Sequence, residues 1–345
     1  MSTESATVLP PEVAASQLVF QLATGYIASS ALYAAARLRI ADRLAEGPRP
    51  IEDLAAGAGV NEDALYRVLR SLSSLGVFEE SSPRTFANNL ASQTMRSGVP
   101  GSTRPMALWM ADPFHFRVYA DMMHSVGTGE PAVEKTVGMP VFEYLARDTA
   151  LSEVFNNAMT AFSAFVVPAA LEVYDFSGID LLVDVAGGHG QLLMSILQKH
   201  PQMRGVLFDL DHVIAGAVPR LEQAGLSDRC TTATGDFFKA VPGGGDAYLM
   251  KHIIHDWDDA KALTILGNVK RAMKSGGRVI LLESVLTPSN QPDFGKLIDL
   301  EMLLMPGGRE RTADEFRALF DRAGFRVTRM VPTKSPLSVI EAVSR

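Results

Sequence analysis

The segment Leu181-Leu182-Val183-Asp184-Val185-Ala186-Gly187-Gly188-His189-Gly190 decides the fold of this chain. Its first half is an apolar, mostly branched run that is typical of a buried strand, and its second half is a glycine cluster. A helical pattern begins directly afterwards at Gln191. Because glycines let the backbone approach a ligand closely, the segment predicts a strand, a binding turn and a helix.

The residues around this turn indicate which ligand it accepts. Asp209 ends the next apolar run, where an acid can accept hydrogen bonds from ribose hydroxyls. The third glycine of the dinucleotide fingerprint is replaced by Leu193, and the Gly-Lys-Ser/Thr of a phosphate-binding loop is missing. A turn that starts with the acid Asp184 suits a nucleoside with a positive centre and no pyrophosphate. S-adenosylmethionine, a sulfonium, has this chemistry.

Strands and helices alternate from about residue 180 onward. The strand candidates are 181–186, 205–209, 230–234, 246–250, 277–283, 325–331 and 337–343. The helix candidates are 190–199, 211–224, 258–273 and 312–323. This alternation predicts an α/β fold with a mostly parallel, Rossmann-like sheet and helices on both faces. The short gap between the last two strands predicts an antiparallel hairpin at the sheet edge.

The N-terminal region is predicted to be helical after a disordered tail at residues 1–12. Helical periodicity runs from residue 13 to about Leu44, and no charged residue occurs from Val13 to Ala36. That stretch is long enough to span a bilayer, but it contains several polar residues and follows acidic rather than basic ones. We therefore expect no membrane span. A charge-free helix near a terminus instead predicts a dimer interface.

A winged-helix pattern follows between residues 51 and 86. A short helix at 51–56, a glycine turn, a second helix from Glu62 to Leu75 and a hairpin from Val77 to Phe86 give this shape. Such a module can bind DNA or serve as a scaffold for dimerisation. Residues 40–100 carry six basic and eight acidic side chains, so we expect no nucleic-acid partner.

Residues 104–175 are predicted to be mostly helical and rich in Met and aromatic side chains, which suit a flat organic ligand. The predicted domains are thus a helical, winged-helix dimerisation domain at 13–103, a substrate-lining segment at 104–175 and a catalytic domain at 176–345. The net charge of −7 does not favour a nucleic-acid surface. The single cysteine, Cys230, excludes an internal disulfide and predicts a reducing, cytoplasmic location.

Five motifs occur in order along the second half of the chain. They are Val183–Gly190, Phe208–Ile214, Gly235–Phe238, Met250–Trp257 and Gly307–Thr312. Together they resemble the S-adenosylmethionine-dependent O-methyltransferases of the plant caffeic-acid type and their bacterial relatives in aromatic natural-product pathways. The resemblance covers nearly the whole chain, including the winged-helix region, which serves homodimerisation in that family. It implies transfer of a methyl group to a hydroxyl of an aromatic small molecule, with S-adenosylhomocysteine as product.

The resemblance also implies roles for individual residues. The cofactor is expected at Asp184, Gly187, Gly188, Gly190, Asp209, Asp236, Phe237 and Lys251. His255 is implied as the general base, flanked by Glu283 and Glu310, and Glu283 is the first candidate for contact with its imidazole. The substrate pocket is expected at Phe155, Met159, Phe162, Trp257, Met302 and Met305. Two departures from the family pattern occur at the turn, where Ala186 replaces a frequent glycine and His189 a frequent threonine or serine.

Three alternatives stay open at this point. His252 and His255 are three residues apart, but that spacing on a loop does not fix a metal site, and no metal is expected. The neighbouring acids Asp256, Asp258 and Asp259 are expected at the start of the next helix. The same pocket could retain the cofactor for decarboxylation or hydroxylation of an aromatic polyketide. A winged-helix regulator that senses the cofactor is the third alternative.

Overall fold

A computed structural model describes residues 10–288 and 290–345 of the chain. It divides into two compact units, Met1–His115 and Phe116–Arg345. Most of the predicted disordered tail lies outside the described residues, but residues 11 and 12 are helical because the first helix already begins at Pro11. Proline suits a first helical position, since its missing N–H has no partner there in any case.

The first unit is mostly helical and contains one small sheet. Its helices are α1 (Pro11–Ala23), α2 (Gly25–Arg37), α3 (Ile40–Arg43), α4 (Ile51–Ala58), α5 (Glu62–Ser74), α6 (Leu90–Gln93) and α7 (Arg104–Met110). Its strands are β1 (Arg49–Pro50), β2 (Glu79–Ser82) and β3 (Thr85–Ala87), in the antiparallel order β1-β3-β2. The helix pair and hairpin have the predicted winged-helix order. β1 is an addition, because no strand is predicted at residues 49–50.

α1 and α2 replace the single helical run predicted from residue 13 to 44. The two helices differ in direction by 48° at a break around Thr24. No residue of α1 is buried, and the side chain of Phe20 is 72% exposed. α1 therefore presents an uncovered apolar surface on this unit.

Short helices and one long helix precede the main sheet. They are α8 (Pro113–Ala120), α9 (Met122–Thr128), α10 (Ala132–Val137), α11 (Val141–Arg147) and α12 (Thr149–Val173). The border between the units falls inside α8, so the segment predicted for 104–175 is divided between them. The physical reason is that α7 packs through Ala107 and Leu108 against the core of the first unit.

By length and hydropathy, α12 could cross a membrane, and α1 with α2 passes the same test as a bent pair. One face of α12 packs through Val166, Val167 and Ala170 into the core beneath the sheet. Other α12 side chains line the cavity described below. Packing against the protein thus accounts for part of the apolar surface of α12.

The second unit is built around a seven-stranded sheet. Its strands are β4 (Leu181–Val185), β5 (Arg204–Asp209), β6 (Cys230–Thr234), β7 (Ala247–Lys251), β8 (Arg278–Glu283), β11 (Phe325–Pro332) and β12 (Ser338–Ser344), and a separate two-stranded pair is formed by β9 (Val285–Leu286) and β10 (Arg311–Thr312). The helices are α13 (Gln191–Lys199), α14 (Asp211–Gln223), α15 (Asp259–Ala272), α16 (Gly295–Leu304) and α17 (Ala313–Arg322). Every predicted strand and helix of this region is present within two residues of its predicted ends.

The strand order fixes where a ligand can bind. The order is β11-β12-β8-β7-β4-β5-β6, with five parallel strands and the predicted antiparallel hairpin β11–β12 at one edge. The chain leaves β4 toward β5 on one side and returns to β7 on the other. This reversal is a topological switch point, and ligands bind at the carboxyl ends of the strands there.

Candidate active site

A cavity of about 360 Å³ lies at this switch point, entirely within the second unit. Its walls come from the carboxyl ends of β4, β5 and β7, from α11 and from α12. Seven of the eight residues predicted to bind the cofactor line it, namely Asp184, Gly187, Gly188, Asp209, Asp236, Phe237 and Lys251. Gly190 does not. It is buried at the N-cap of α13, where its φ of 77° lets the chain turn into the helix.

The turn after β4 is shaped by close approach of the backbone. A Cβ at Gly187 would lie 2.5 Å from Asp184 Oδ2 and 2.5 Å from Leu207 Cδ1, so a side chain here would have to displace them. Gly188 has a φ of 60°, which favours glycine. Ala186, where the family often has glycine, also has a positive φ of 55° and therefore carries backbone strain.

Asp209 is held in place by the turn that it faces. Its Oδ2 accepts a hydrogen bond from the Gly188 N–H at 2.8 Å, and its Oδ1 accepts one from the Leu210 N–H at 2.7 Å. Burial raises the pKa of this carboxyl, and the two backbone donors oppose that rise. The carboxylate is therefore oriented before any ligand arrives.

Asp184, which is buried, and Lys251, which is half-buried, line the cavity and interact electrostatically. Burial raises the pKa of Asp184 to about 7, although Lys251 lowers it. Burial lowers the pKa of Lys251, although Asp184 and Glu283 raise it. Asp184 Oδ2 has no hydrogen-bond partner among the described residues. A buried acceptor of this kind fits a ligand that brings a cationic group.

Aromatic rings close the end of the cavity near β6. Phe237 and Phe238 pack at 4.8 Å between ring centroids, and Trp257 lies 6.0 Å from Phe237 and 4.8 Å from Phe238. Asp236 begins this segment, and its Oδ1 accepts the Phe238 N–H at 2.9 Å. The rings and the carboxylate together offer packing and hydrogen bonding to a flat heterocycle.

His255 lies just beyond β7 in a 3₁₀ turn, Ile254–Asp256, and is buried. Its Nδ1 is 2.7 Å from Glu310 Oε1, whereas Glu283 Oε2 is 4.0 Å away. Glu283 Oε1 instead accepts the backbone N–H groups of Ile253 and Ile254 at 3.1 and 2.9 Å. The predicted order of the two acids is therefore reversed, since Glu310 contacts the imidazole and Glu283 anchors the backbone of the turn.

Burial is the main cause of the shifted pKa values of the acids around His255. It raises the pKa of Glu310 to about 8, assisted by Asp299, and that of Glu283 to about 6. It also raises the pKa of Asp256 to about 7, although His255 lowers it. These groups can therefore exchange protons near neutral pH.

Asp256, rather than His255, lines the cavity. Its Oδ1 is 3.5 Å from His255 Nε2. The prediction that Asp256 begins the next helix is wrong, because Asp258 is the N-cap of α15 and accepts the Lys261 N–H at 2.9 Å. The polypeptide turns between Asp256 and Asp258, and this turn leaves Asp256 in the cavity wall.

The predicted substrate residues are only partly brought together. Phe155, Met159 and Trp257 line the cavity. Phe162 does not line this cavity and stacks on the His252 ring at 5.0 Å. Met302 and Met305, at the end of α16, are buried and do not line this cavity either. Phe142 joins the wall, with its ring 6.5 Å from that of Phe155 and 5.8 Å from that of Trp257.

Three further histidines, His189, His212 and His252, line the cavity without having been assigned to it. His252 has a positive φ of 54°, and its pKa lies well below the ordinary value because of burial and of His255 and Lys251. His189 Nδ1 lies 3.1 Å from the hydroxyl of Thr160 on α12. The only sequence signal for His189 was its departure from the family pattern, and for His252 it was the spacing to His255.

His252, His255 and Glu283 also place three ligand-type atoms within 4.8 Å of one another. Distance alone therefore allows a metal ion at this point. The Lys251 ammonium acts on Glu283 from the same region, and this positive charge opposes a second cation there. The expectation of a metal-free enzyme stays a prediction, and retention of activity after chelator treatment would test it.

The doubly wound sheet with a cavity at its switch point is the fold of the class I methyltransferases, as the solved structures that resemble it show. The chain belongs to the O-methyltransferase family: the O-methyltransferase domain matches residues 119–326, and the O-methyltransferase dimerisation domain matches residues 20–97. It is 44% identical to phenazine O-methyltransferase PhzM of Lysobacter antibioticus, over 95% of this chain and 96% of that protein. The crystal structure of LaPhzM has a TM-score of 0.92 and 43% identity, covering 98% of this chain and 100% of that one.

The cofactor follows from the same comparisons. The SAH-bound structure of CalO1, a methyltransferase in calicheamicin biosynthesis, has a TM-score of 0.86 and 32% identity, covering 98% of this chain and 100% of that one. The cavity residues fit such a ligand, because a side chain at Gly187 would have to displace its neighbours and Asp184 Oδ2 lacks a partner. The protein is an S-adenosylmethionine-dependent O-methyltransferase.

Relatives of similar identity differ in the reaction that their names record. Phenazine-1-carboxylate N-methyltransferase of Pseudomonas aeruginosa is 33% identical over 92% of this chain and 94% of that protein. Aclacinomycin 10-hydroxylase RdmB of Streptomyces purpurascens is 34% identical over 85% of this chain and 80% of that protein. The substrate therefore has to be argued from this chain's own residues.

Proposed function

We propose that this enzyme methylates a phenolic hydroxyl of an aromatic small molecule, with His255 as the general base. The observation that carries the proposal is the buried 2.7 Å contact between His255 Nδ1 and Glu310 Oε1 beside the cavity. The rings of Phe142, Phe155 and Trp257 along the same cavity suit a flat aromatic acceptor.

The proton chemistry follows from this contact. When Glu310 is ionised, it accepts the Nδ1–H of His255, which leaves a lone pair on Nε2, 3.5 Å from the Asp256 carboxylate on the cavity wall. The substrate proton is proposed to reach Nε2 beside this carboxylate. Complete transfer from a phenol to a histidine before attack would cost about 5 kcal/mol. Removal of the proton as the new C–O bond forms avoids that cost. A Glu310 with a raised pKa can then take the Nδ1 proton, so no imidazolium has to persist in the buried site.

The cofactor supplies an electrophilic methyl group on a sulfonium when it is bound. We assign the ribose hydroxyls to Asp209, the adenine to Asp236 and Phe237, and the methionine end to Asp184 and Lys251. Gly187 and Gly188 would form the wall against which the cofactor lies. The aromatic part of the cavity lining favours the reaction, because the charges of phenolate and sulfonium disappear as methyl transfer proceeds.

The test is a matched panel of acceptors incubated with S-adenosylmethionine and analysed by mass spectrometry. The panel contains hydroxylated phenazines, hydroxybenzoates and naphthols, each paired with its O-methylated and its amino analogue. We expect a methyl ether together with an equal amount of S-adenosylhomocysteine from the free phenols only. Methylation of amines but not of phenols would contradict the hydroxyl acceptor.

A second candidate is hydroxylation or decarboxylation with the cofactor retained. The similarity to a 10-hydroxylase supports it, whereas the complete set of His255, Glu283 and Glu310 supports methyl transfer. Formation of an oxidised or decarboxylated product without S-adenosylhomocysteine would favour this candidate.

We further propose that the enzyme is a cytoplasmic homodimer assembled through residues 13–103, with no nucleic-acid or membrane partner. The match to a dimerisation domain and the uncovered apolar surface of α1 support the dimer. The lone, buried Cys230 suits a reducing compartment. Light scattering of the full chain, before and after removal of residues 1–23, would test the contribution of α1 to the dimer.

A further inference from the structure

Arg311 is a fully buried charged side chain that the proposed chemistry does not use. It lies on β10 with an exposed fraction of 1%, and β10 pairs with β9, which begins two residues beyond Glu283. Burying a guanidinium is costly unless its donors are satisfied. The partners of this side chain therefore indicate what it holds.

The guanidinium bridges the two ends of the turn that carries His255. Its Nη1 donates to the Ile254 carbonyl at 3.2 Å, and its Nη2 donates to the Trp257 carbonyl at 3.0 Å. Its Nη2 also pairs with Asp259 Oδ1 at 2.9 Å. The two carbonyls are those immediately before and after the His255–Asp256 pair.

The residues preceding Arg311 contact the same turn. The Arg309 N–H donates to the His255 carbonyl at 2.8 Å. A Cβ at Gly308 would lie 2.0 Å from that carbonyl oxygen, so only glycine permits this approach. Glu310, between them, contacts the His255 imidazole. The segment 308–311 thus holds both the backbone and the ring of His255.

The other contact of Arg311 has a substitute. Arg322 also pairs with Asp259, at 2.6 Å, and the N-cap of α15 is supplied by Asp258. Among the described residues, the side chains of Arg322 and Asp258 make no hydrogen bond to the carbonyls of residues 254–257. The feature specific to Arg311 is therefore the link between the turn and the segment that carries Glu310.

We infer that Arg311 is a positioning residue for the proposed base: it fixes the turn so that the His255 ring stays at bonding distance from Glu310. This inference rests on the proposed role of His255. A planar fork is required, because lysine cannot bond two separated carbonyls and a carboxylate in the same way. Displacement of a reacting group by about 1 Å can cost about 10²-fold in rate.

The experiment compares Arg311→Lys and Arg311→Ala with Arg322→Ala as the matched control. For both Arg311 variants we expect kcat to fall by about 10²-fold, with cofactor Kd and acceptor KM within about twofold of the wild type. The inflection of the kcat–pH profile should also shift, since the His255–Glu310 contact changes. Arg322→Ala, which removes the same Asp259 partner from an exposed position, should behave as wild type. Guanidinium ion at millimolar concentration should restore part of the kcat of Arg311→Ala but not that of Arg311→Lys.

Three outcomes would overturn the inference. They are unchanged kcat and pH profile in folded Arg311 variants, equal losses in kcat and cofactor binding, or an equal loss in Arg322→Ala. His255→Ala, assayed in parallel, separates the two proposals. If that variant keeps its activity, the proposed base is wrong. If it is inactive while folded Arg311→Lys is normal, only the positioning role is wrong. If Arg311→Ala does not fold, Arg311→Lys decides.

Discussion

The turn after β4 and the turn after β7 lie side by side at the same edge of the sheet but are built in opposite ways. The turn after β4 is formed by glycines, and a Cβ at Gly187 would collide with neighbouring side chains. The second is formed by side chains from distant segments, because Glu310 and Arg311 hold the turn around His255. The difference fits the proposed division of labour, in which the first turn binds the cofactor and the second moves a proton.

The largest expected effect separates the two turns most directly. His255→Ala should lower kcat by about 10²–10⁴-fold, because the proposed base is removed, while cofactor affinity stays unchanged. Calorimetric titration with S-adenosylhomocysteine and single-turnover kinetics measure the two quantities. His200→Ala, at the C-cap of α13 and away from the cavity, is the control. A comparable loss of cofactor affinity in His255→Ala would show that the turns do not act separately.

The reciprocal test is Gly187→Ala. The added Cβ must displace Asp184 or Leu207, and overpacking of this kind costs about 1–3 kcal/mol, or about 5- to 150-fold in cofactor Kd. Once the cofactor is saturating, kcat should change far less than Kd. Gly127→Ala is the matched control, because its Cβ would meet nothing within 4 Å. Normal cofactor affinity in Gly187→Ala would contradict the role of the first turn.

Glu310→Gln tests the turn after β7 through the pH dependence of kcat. Since the pKa of Glu310 is raised to about 8, wild-type kcat should rise with pH to a plateau above that value, where the carboxylate is ionised. A neutral amide can still accept the Nδ1–H, so we expect a loss of about 1.5 kcal/mol, or about tenfold at the plateau. The rise associated with Glu310 should disappear from the kcat–pH profile. An unchanged rise would assign it to another group, such as Asp256.

Glu310 should also make the free energy of unfolding depend on pH, with a slope opposite in sign to that of kcat. Between the ordinary value of 4.5 and about 8, the folded protein keeps a proton on Glu310 that the unfolded chain loses. The free energy of unfolding therefore falls as pH rises through this window. Glu310→Gln should flatten that fall, as measured by urea unfolding at pH 5 and pH 8. Identical slopes for both proteins would contradict a raised pKa at Glu310.

The smallest expected effect concerns Ala186 in the first turn. Its φ of 55° is unfavourable for any residue with a Cβ, and the strain is about 1 kcal/mol. Ala186→Gly should relieve this strain, offset in part by the greater freedom of glycine in the unfolded chain. We expect cofactor Kd to change by less than about fivefold, with kcat unchanged. A large loss of kcat would mean that Ala186 contributes to the proton chemistry.

The same contrast explains what could be predicted from the sequence. The first turn is local, because one apolar run, its glycines and the acid of the next strand carry its signal. The strands of the sheet are predicted equally well, since each one has a local run of apolar, mostly branched residues. The second turn depends on contacts between residues that are far apart in the chain, such as Glu310 and His255. The sequence places Glu283 and Glu310 near His255 only through the family resemblance. It does not tell which acid contacts the imidazole and which accepts the backbone N–H groups of the turn.

The errors have the same physical origin. Asp256 was assigned to a helix start by its neighbours, but a bend between Asp256 and Asp258 places it on the cavity wall. Met302 is expected in the pocket, yet α16 buries it elsewhere. α16 itself was missed, because its mostly apolar sequence has little amphipathic contrast to predict a helix. Side-chain direction in loops and packing between helices are tertiary properties that a local pattern does not contain.

The position of the two tryptophans has an optical consequence. Trp109 lies in α7 of the first unit, and Trp257 lies in the cavity wall between the rings of Phe142 and Phe237. Since the sequence contains no others, Trp109→Phe would leave a single indole emitter at the cavity. The emission of this variant should change when ligand fills the cavity, so that occupancy can be followed in real time without a label.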